Sequence, residues 1–433
     1  MADDINKDQK VLEKEQFDEG TTDEQLLKQI EEWETDSSEF YSLLKEIWET
    51  NLQYYLGNQT DVAKIRGKQS KAVENRVFMA TETMIPIATS RLPDIEVRPG
   101  SPDEVSQMNA DELQSVLGYH MERVGIQGQA EKFLRNVIIR RYGVWKISWD
   151  KPIDDVGLEL VDPRRIRIPK YGKTVDELAY LIQDLELSYE ALSEHFGKEK
   201  AEEVLKNRPK DSENKIRKPT FTVKEVWTND FVVWTSDKIV LKKQANPYYD
   251  FDNAKSNFFD RPRKPYIIKS LFETEESLIG NTDYIQQMRP VQDNINVRKR
   301  QIEDIVNKVA NPILLIDSQT MSEEEAANIT NEPGLILYGD GAADGTKIRF
   351  ENPGQVPNYL FLDLEGSRKE FDNIWGIHST TRGEREGKET LGGRQLLKAA
   401  DLGRIDLLAR QLERALDEIA EHWTQLIKLF YTE

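Results

Sequence analysis

The chain has 433 residues, no cysteine and a formal net charge of −19. Without cysteine it can form no disulfide, thiolate metal site or cysteine nucleophile, and its acidity argues against a surface that reads DNA sequence. No apolar run approaches the roughly 18 residues of a membrane span, and the acidic N-terminus MADDINKDQK differs from a basic signal peptide. We therefore expect neither a membrane protein nor a secreted one.

The N-terminal third reads as an acidic arm followed by helices. Residues 1–22 are polar, acidic and aperiodic, which predicts disorder. Apolar residues at intervals of three and four then predict helices, the first of which ends at Gly57, a good C-terminal cap. Two prolines make the segment Leu92–Gly100 extended. The predicted helices are Thr22–Leu56, Val77–Ala88, Asp103–Val124 and Gln129–Arg141.

The middle of the chain alternates apolar and polar residues and therefore predicts strands. The pair Asp162-Pro163 interrupts one of them, and Ser188 caps a helix that carries Phe196 and Val204. Residues Asn246–Lys264 have no period and are rich in Asn, Asp, Tyr and Arg, which predicts an exposed loop. The predicted strands are Tyr142–Asp150, Leu158–Ile168, Tyr180–Leu187, Phe221–Trp227, Phe231–Thr235, Lys238–Leu241 and Tyr266–Phe272.

Long helices dominate the C-terminal part. The helix Asn281–Val309 contains Pro290, which either starts it or kinks it. A helix from Tyr359 is separated by a charged, glycine-containing loop, His378–Gly393, from a second apolar stripe. If helical from Leu391 onward, that stripe spans about 40 residues and roughly 60 Å, so it needs a partner surface along its whole length. Further strands are predicted at Pro312–Ile316, Gly334–Tyr338 and Lys347–Phe350. The fold class is α+β and mainly helical.

The segment GEREGKET, Gly383–Thr390, resembles a phosphate-binding P-loop without satisfying its pattern. Only three residues separate Gly383 from Gly387, where the motif needs four, and Glu389 stands where Ser or Thr should follow the lysine. Its three glutamates would repel phosphate. A packaging ATPase or nuclease is therefore the weaker interpretation, and a solvated loop the stronger one.

No group of residues has the spacing of a catalytic, cofactor or metal site. The histidines lack the H-E-x-x-H spacing of a zinc site and read as core or surface residues, and two acidic pairs lack the twelve-residue calcium loop and read as turns. A carboxylate pair for a two-metal nuclease stays open in a chain with 78 acidic residues, although no local motif supports one. These residues are His120, His195, His378 and His422, with the pairs Asp250/Asp252 and Asp340/Asp344.

Two clusters of basic residues stand out against the acidic background. Consecutive positions on a helix point about 100° apart, so only some members of the first cluster can face any one partner. A solvated helix face that pairs with neighbouring acids explains the clusters at least as well as phosphate contact does. The first cluster is Arg298, Lys299 and Arg300 with Arg289 and Lys308, and the second is Arg382, Arg385, Lys388, Arg394 and Lys398.

The serial order of the segments is more informative than any single motif. The segments are QYYLGNQ (Gln53–Gln59), Asn75, RLPDIEVRPG, YGVWKISWD, LVDPRRIRI, LIQDLELSYEALSEHF, KPYIIKSLF, a G-x-x-x-Y-I-Q-Q…Q-x-N-I-N run (Gly280–Asn296) and WGIHSTTRGEREGKETLGG before the long helix. In this order the chain, over roughly residues 40–430, resembles the portal proteins (head-to-tail connectors) of tailed bacteriophages.

The resemblance implies a portal-type subunit with wing, stem and clip regions. The implied regions are an acidic disordered arm (1–22), an N-terminal helical and wing region (23–207), a clip-like region (208–272), a stem-type helix (273–310), wing strands and a helix (311–376), a tunnel-like loop (377–393) and a long C-terminal helix (394–433).

The resemblance also implies a function. Identical subunits would form a homo-oligomeric ring, usually a dodecamer, at one capsid vertex, and double-stranded DNA would pass through the ring during packaging and ejection. The implied partners are the terminase large subunit, the major capsid protein and neck or adaptor proteins, in the virion and, during assembly, in the host cytoplasm. A different virion structural protein, such as a neck or scaffold component, is the alternative. The DNA-channel candidates are Arg382, Arg385, Lys388, Arg394, Arg298, Lys299 and Arg300.

Overall fold

The computed structural model describes residues 22–59, 69–90, 92–207, 220–273, 277–310, 313–316, 348–351, 356–378, 381 and 391–431, with backbone alone at 313–316, 348–351, 391–398, 400 and 404. Its architecture is α+β and mainly helical, as predicted. The predicted strand Gly334–Tyr338, the segment GEREGKET and all but the last residue of the arm 1–22 lie outside the described residues. None of the described helices is long and apolar enough to span a membrane.

The described residues fall into two compact units. Unit 1 takes its residues from Met1–Leu52, Met79–Gln287 and Ile377–Glu433, and unit 2 from Gln53–Phe78 and Met288–Gly376. The helices are α1 (Asp23–Leu56), α2 (Arg76–Thr89), α3 (Glu104–Arg123), α4 (Ile126–Arg140), α5 (Tyr189–Phe196), α6 (Lys198–Asn207), α7 (Tyr284–Ala310), α8 (Asn358–Trp375) and α9 (Leu391–Phe430).

Local signals place most helix ends correctly. Gly57 follows α1 with φ +82°, a backbone conformation that glycine adopts without strain. The Asp103 carboxylate accepts a hydrogen bond from Ser106 N at 2.8 Å and so caps α3. Pro290 lies inside α7 and does not begin it. The C-terminal helix starts at Leu391 and runs for 40 residues, so residues 391–393, which were expected to end the tunnel-like loop, belong to the helix.

The helix predicted to run on from Ser188 is in fact two helices. The Ser188 hydroxyl accepts a hydrogen bond from Ala191 N at 3.2 Å and caps α5, as predicted. Gly197 then adopts φ +89° and ends α5, so Val204 belongs to the separate helix α6. The apolar spacing continues across the break, which is why the sequence alone did not show it.

Unit 1 contains two antiparallel sheets. The first has the strand order β2-β1-β8 and the second β3-β4-β5-β6-β7. Strands β2 and β3 are neighbours in sequence on either side of Asp162-Pro163, yet they belong to different sheets. The strands are β1 (Tyr142–Asp150), β2 (Asp155–Val161), β3 (Ile166–Arg167), β4 (Leu181–Ser188), β5 (Thr220–Trp227), β6 (Phe231–Ser236), β7 (Ile239–Ala245) and β8 (Tyr266–Ser270). In unit 2, β9 (Ile313–Ile316) pairs antiparallel with β10 (Ile348–Glu351).

The second sheet contains strands from both sides of the boundary expected at residue 208. Strand β4 pairs with β5 along eight residues, from Leu181 opposite Trp227 to Ser188 opposite Thr220. Strand β8, at the other end of the clip-like region 208–272, pairs with β1 in the first sheet. The strands of this region therefore complete sheets that begin earlier in the chain.

Helix α4 packs against β1 at very short range. The rings of Phe133 and Trp145 stack with centroids 3.9 Å apart. Gly143 permits this approach, because a Cβ atom there would lie 2.6 Å from Phe133 Cε2. The indole of Trp48 and the amide of Asn51, both on α1, donate hydrogen bonds to the last carbonyls of α4. Those carbonyls have no partner within their own helix.

The segment Asn246–Lys264 lacks helices and strands, apart from one short 3-10 turn, but it is not simply exposed. Lys264 has 1% of its surface exposed, and its ammonium donates to Leu178 O (2.6 Å), Asn229 Oδ1 (2.7 Å) and Val175 O (3.2 Å). Burial lowers the pKa of Lys264 to about 7 against the opposing charges of Asp176 and Asp230. Polar composition predicted solvent contact here, but the polar groups satisfy one another inside the fold.

The close approach at Gly143 leads to a prediction. Gly143→Ala should lower the free energy of unfolding by about 1–3 kcal/mol, because the new methyl group overlaps the Phe133 ring. Gly118→Ala is the matched control, since a Cβ there meets no atom within 4 Å and alanine favours the interior of α3. Urea unfolding followed by circular dichroism measures both. Equal stability of the two variants would contradict the packing at Gly143.

Candidate nucleic-acid interface

The structure describes some of the residues proposed to contact DNA and not others. Arg382, Arg385 and Lys388 lie outside the described residues. Arg394 belongs to the first turns of α9, where the backbone alone is described. The remaining candidates, Arg298–Arg300, lie in unit 2 on α7, the helix predicted to be stem-like.

Each of the three basic side chains on α7 already has a partner within unit 2. Arg298 Nε donates to Asp363 Oδ2 on α8 at 2.5 Å. Lys299 Nζ lies 3.9 Å from Glu74 Oε2, and Arg300 Nε donates to the carbonyl of Asn296 at 3.1 Å. The side chains of Arg298 and Lys299 keep about a third of their surface exposed (33% and 32%). They can therefore meet phosphate only as partly neutralised cations.

Glu74 is the acidic centre of this network. Its carboxylate accepts two hydrogen bonds from the Arg368 guanidinium, at 2.8 and 2.5 Å, and lies 3.4 Å from Arg76 Nη1. Burial raises the pKa of the Glu74 carboxyl, but Arg368, Arg76 and Lys299 outweigh burial and hold it below its ordinary value. Arg76 also reaches Asp372 Oδ1 at 2.6 Å. Paired fork-to-carboxylate bonds of this kind fix geometry as well as charge.

Two fully buried amides on α7 hold the backbone beside Glu74. Gln292 donates to Glu74 O at 2.7 Å and accepts from Arg76 N at 3.2 Å. Asn296 accepts from Glu74 N at 3.0 Å and donates to Gln59 Oε1 at 2.7 Å. Both side chains have 0% of their surface exposed. Their spacing of four residues puts them on one face of the helix.

Asn75 makes equivalent contacts on the other side of the same segment. Its amide donates to Tyr55 O at 2.8 Å and accepts from Phe78 N at 3.0 Å and Gln59 Nε2 at 3.1 Å. A Cβ on Gly57 would lie 3.1 Å from the Asn75 amide nitrogen, so the glycine leaves room for it. The segments QYYLGNQ and Q-x-N-I-N, together with Asn75, thus meet in one hydrogen-bond network.

Acidic residues of α7 have partners as well. Ser70 donates from its backbone N to Asp304 and from its hydroxyl to Glu303, both at 2.6 Å. The Tyr54 hydroxyl donates to Asp293 Oδ1 at 2.7 Å. Burial and this bond raise the pKa of Tyr54 to about 12. Helix α7 thus carries paired charges of both signs.

Asp401 was not among the residues predicted from the sequence. It lies beside the start of the tunnel-like loop, in unit 1. It is 1% exposed on α9. Its carboxylate contacts His378 Nδ1 at 2.6 Å and accepts from His378 N at 3.0 Å and Thr381 Oγ1 at 2.5 Å. A charge at an apolar position of the stripe was the available signal. Asp401 therefore fastens the described residues at the start of the loop to the long helix.

His120 and His422 occupy structural positions, His195 is exposed, and the described acidic pair forms a turn. His120 is 1% exposed and lies edge-on to Trp423, while His422 packs against Phe259. Asp250 Oδ1 accepts from the backbone N of Asp252 and Asn253 at 3.0 Å, which is the predicted turn chemistry. Among the described residues, no three His, Cys, Asp or Glu side chains are grouped closely enough to hold a metal ion.

Comparison of the chain with protein-family models and with curated proteins gives no match.

The Glu74 network leads to a second prediction. Glu74→Gln should lower the free energy of unfolding by about 1–3 kcal/mol, because it leaves three half-buried cations facing a neutral acceptor. Glu365→Gln is the control, since its pair with Lys369 is exposed on both sides and should matter by less than about 0.5 kcal/mol. Urea unfolding at neutral pH measures the difference.

The pH dependence of the same pair of variants gives an internal check. Because the pKa of Glu74 is lowered in the fold, its contribution is complete above the ordinary value of 4.5 and is lost as the pH falls. The stability gap between the wild type and Glu74→Gln should therefore narrow towards pH 3. A gap that stays constant with pH would mean that the carboxylate charge does not act through these cations.

Proposed function

We propose that this chain is a portal-type subunit of a tailed bacteriophage. Identical copies close into a ring, most simply a dodecamer, at one capsid vertex, and double-stranded DNA passes through the ring during packaging and ejection. The observation that carries the proposal is the meeting of Gln59, Asn75, Gln292 and Asn296 in one buried network. These residues come from the segments on which the resemblance rests, and more than 200 positions in the sequence separate Gln59 and Asn75 from Gln292 and Asn296.

The network supports a rigid stem-like helix. The buried amides of Gln292 and Asn296 hold α7 in one register against residues 74–76, and Arg298 joins it to α8 through Asp363. A conduit needs a wall that keeps its shape as the duplex moves. Within unit 2, the hydrogen bonds and ion pairs of α7 with residues 74–76 and α8 would give the wall such a fixed shape.

The charge pattern supports passage of DNA and not tight binding. Each phosphate that a protein neutralises adds affinity and resists sliding. Of the basic residues of α7, Arg298 and Lys299 lie close to carboxylates and Arg300 donates to a backbone carbonyl. The chain as a whole carries a net charge of −19. Transient phosphate contacts are assigned to Arg382, Arg385, Lys388 and Arg394, in and after the tunnel-like loop.

The expected partners follow from the same proposal. The clip-like region 208–272 meets the terminase large subunit during packaging and neck or adaptor proteins afterwards, while the outer wing meets the major capsid protein. The protein is located in the host cytoplasm during assembly and in the virion afterwards. The nearest alternative is another virion structural protein, and an ATPase is weaker because GEREGKET does not complete a P-loop.

The ring is the first thing to test. Purified full-length protein, imaged by negative-stain electron microscopy with native mass measurement on the same sample, should give rings with a central hole and a mass near twelve chains. Monomers or dimers at every salt concentration would count against a portal and favour the alternative structural role. A ring without a central hole would exclude the conduit.

The tunnel-like loop gives a fourth prediction, measured on assembled rings. The triple variant Arg382→Gln, Arg385→Gln, Lys388→Gln should still form rings but should bind a short DNA duplex with a flatter salt dependence. The log–log slope should fall by roughly 0.9 for each phosphate contact that is lost. Arg410→Gln is the control, since Arg410 is exposed and pairs with Asp406 on the same helix. Loss of ring assembly in the triple variant would instead place these residues between subunits.

A further inference from the structure

Tyr431, the residue that follows α9, joins the end of this helix to two other elements of unit 1. Its hydroxyl donates to Asp155 Oδ1 of β2 at 2.7 Å and lies 3.1 Å from His120 Nε2 of α3. The rings of Phe430 and Tyr431 also pack on Trp149 of β1, with centroids 4.8 and 5.8 Å away. We call His120, Asp155 and Tyr431 the tyrosine clasp.

The hydrogen bonds of the clasp determine which nitrogen of His120 carries the proton. The Tyr431 hydroxyl has one proton, and its bond to the Asp155 carboxylate uses it. The contact with His120 is therefore a hydrogen bond only if Nε2 carries the imidazole proton and donates to the tyrosine oxygen. Nδ1 is then bare. It is buried, and it has no hydrogen-bond partner among the described residues.

The surroundings of His120 favour the neutral imidazole. A second proton would create an N–H group at Nδ1 that is buried without an acceptor, which is costly. The rings of Tyr119 and Trp423 lie 5.3 and 5.9 Å from the imidazole. Burial lowers the pKa of His120, and Asp155 raises it and Arg123 lowers it by smaller amounts. The titratable groups that face His120 in the described part of the chain are Tyr119, Arg123, Asp155 and Tyr431.

The Asp155 carboxylate is already committed to other donors. Its Oδ1 accepts from Tyr431 and from Val156 N at 2.8 Å, and its Oδ2 lies 3.2 Å from Arg123 Nη2. His120 Nε2 is 3.6 Å from Oδ1, which is too far for a hydrogen bond. Burial raises the pKa of the Asp155 carboxyl, but Tyr431, the Val156 amide, His120 and Arg123 outweigh burial and hold it below its ordinary value. Asp155 therefore stays ionised while His120 titrates, and Arg123 partly offsets its charge.

These groups give the clasp a pH dependence of defined sign. Because the pKa of His120 in the closed clasp lies below its ordinary value of 6.5, an opened clasp binds a proton more readily. The closed state is fully favoured above pH 6.5 and loses stability as the pH falls below it, by at most roughly tenfold in the opening constant per pH unit. Asp155 acts in the same direction only below its ordinary value of 3.8. Between about pH 6.5 and 5, His120 is the member of the clasp that titrates.

One of the groups that cover His120 is free to give way. Trp423 is 0% exposed, and its Nε1 donates to Gly157 O at 3.3 Å. Gln425 Nε2 donates to Asn257 Oδ1 at 2.8 Å and holds the next turn. Tyr431 lies beyond both anchors and is 42% exposed. Opening is therefore confined to the end of α9, and the preceding turns keep their position.

We propose that the tyrosine clasp is a pH-sensitive device that releases the end of α9 from α3 and the β1–β2 pair in mild acid. Protonation of His120 at Nδ1 drives the imidazolium towards water, and the bond between Nε2 and Tyr431 breaks. Phe430 and Tyr431 then leave the Trp149 ring. The release uncovers Trp149 beside Tyr119, which is already 60% exposed. An aromatic surface that is covered at neutral pH is thus presented in acid.

Amide hydrogen exchange of the full-length protein tests the release. Exchange is read by mass spectrometry between pH 7.5 and 5.0 and corrected for the pH dependence of the chemical exchange rate. The opening constant of residues 427–431 should rise by about tenfold over this range, while that of residues 181–188 in β4 should stay constant. An opening constant of residues 427–431 that does not change with pH would overturn the proposal.

Two histidine variants identify the group that responds. His120→Gln should remove the pH response, because glutamine does not titrate and its amide can still donate to Tyr431. His422→Gln is the matched control, since His422 lies on the same helix but packs against Phe259. It should respond to acid like the wild type. Loss of the response in His422→Gln, or its survival in His120→Gln, would assign the effect to another group and overturn the clasp.

The tyrosine hydroxyl is tested separately, at pH 7.5. Tyr431→Phe removes the donor to the Asp155 carboxylate and should raise the opening constant of residues 427–431 by about tenfold. Tyr119→Phe is the control, since Tyr119 is 60% exposed and its ring and not its hydroxyl contacts His120. Equal protection of the two variants would refute the hydroxyl's part in the clasp.

A measurement on the unmodified chain keeps the proposal testable if a variant does not fold. Exchange of the imidazole C2 hydrogen, followed by mass spectrometry, reports the titration of each histidine in its own peptide. His120 should titrate below its ordinary pKa of 6.5. Titration at or above that value would overturn the proposal, because the closed clasp would then not resist protonation.

The tyrosine clasp lies within one copy of the chain and does not depend on ring assembly. Rings in the microscope without an acid response at residues 427–431 would leave the portal proposal standing and refute the clasp. An acid response that depends on His120 in a protein that forms no rings would support the clasp and count against the portal.

Discussion

A buried amide group that lacks a hydrogen-bond partner costs about 1–3 kcal/mol, and the pairing of such groups organises unit 2. Residues 74–76 supply those partners at the start of α2. Their backbone faces Gln292 and Asn296 on α7, while the Asn75 side chain caps α2 and reaches the last turn of α1. Removing one amide would strand several others, so the register of the segment is set as a whole.

The ion pairs of unit 2 depend on the same hydrogen-bonded segment, residues 74–76. The side chains of Glu74 and Arg76 extend from the pinned segment to Arg368 and Asp372 on α8. Because the backbone between them is fixed, these ion pairs require little extra ordering and have guanidinium-to-carboxylate geometry. The cations Arg76, Arg368 and Arg298 of unit 2 therefore already have carboxylate partners in the folded chain.

Features that depend on local periodicity were predictable from the sequence. The apolar stripe of α9 lies on one long helix, and Gly57 and Asp103 end and begin helices where their chemistry requires. Features that depend on distant pairing were not. Nothing local distinguishes Gln292 and Asn296 from solvated amides, since their partners lie more than 200 residues away. The burial of Lys264 escaped prediction for the same reason.

The breaks between elements show a second limit. The periodicity that predicts a helix past Phe196 is real, but the positive φ of Gly197 outweighs it. The strand pair predicted over Leu158–Ile168 is broken at Asp162-Pro163, as expected, but the turn there sends β2 and β3 to different sheets, which the local pattern does not indicate. Both features arise where a single backbone conformation redirects the chain. For the candidate site, the sequence located the basic residues of α7 correctly but not the acids that neutralise them.

Helix α9 makes contacts on two opposite faces along its length. Its apolar face packs in unit 1 through Leu408, Leu412 and Trp423, which are fully or almost fully buried. Its opposite face is also occupied, by Gln425 and by ion pairs from Glu418 and Glu421. A helix contacted on both sides transmits the position of one surface to the other without bending. Contacts on both sides of α9 therefore hold the helix in one register within unit 1.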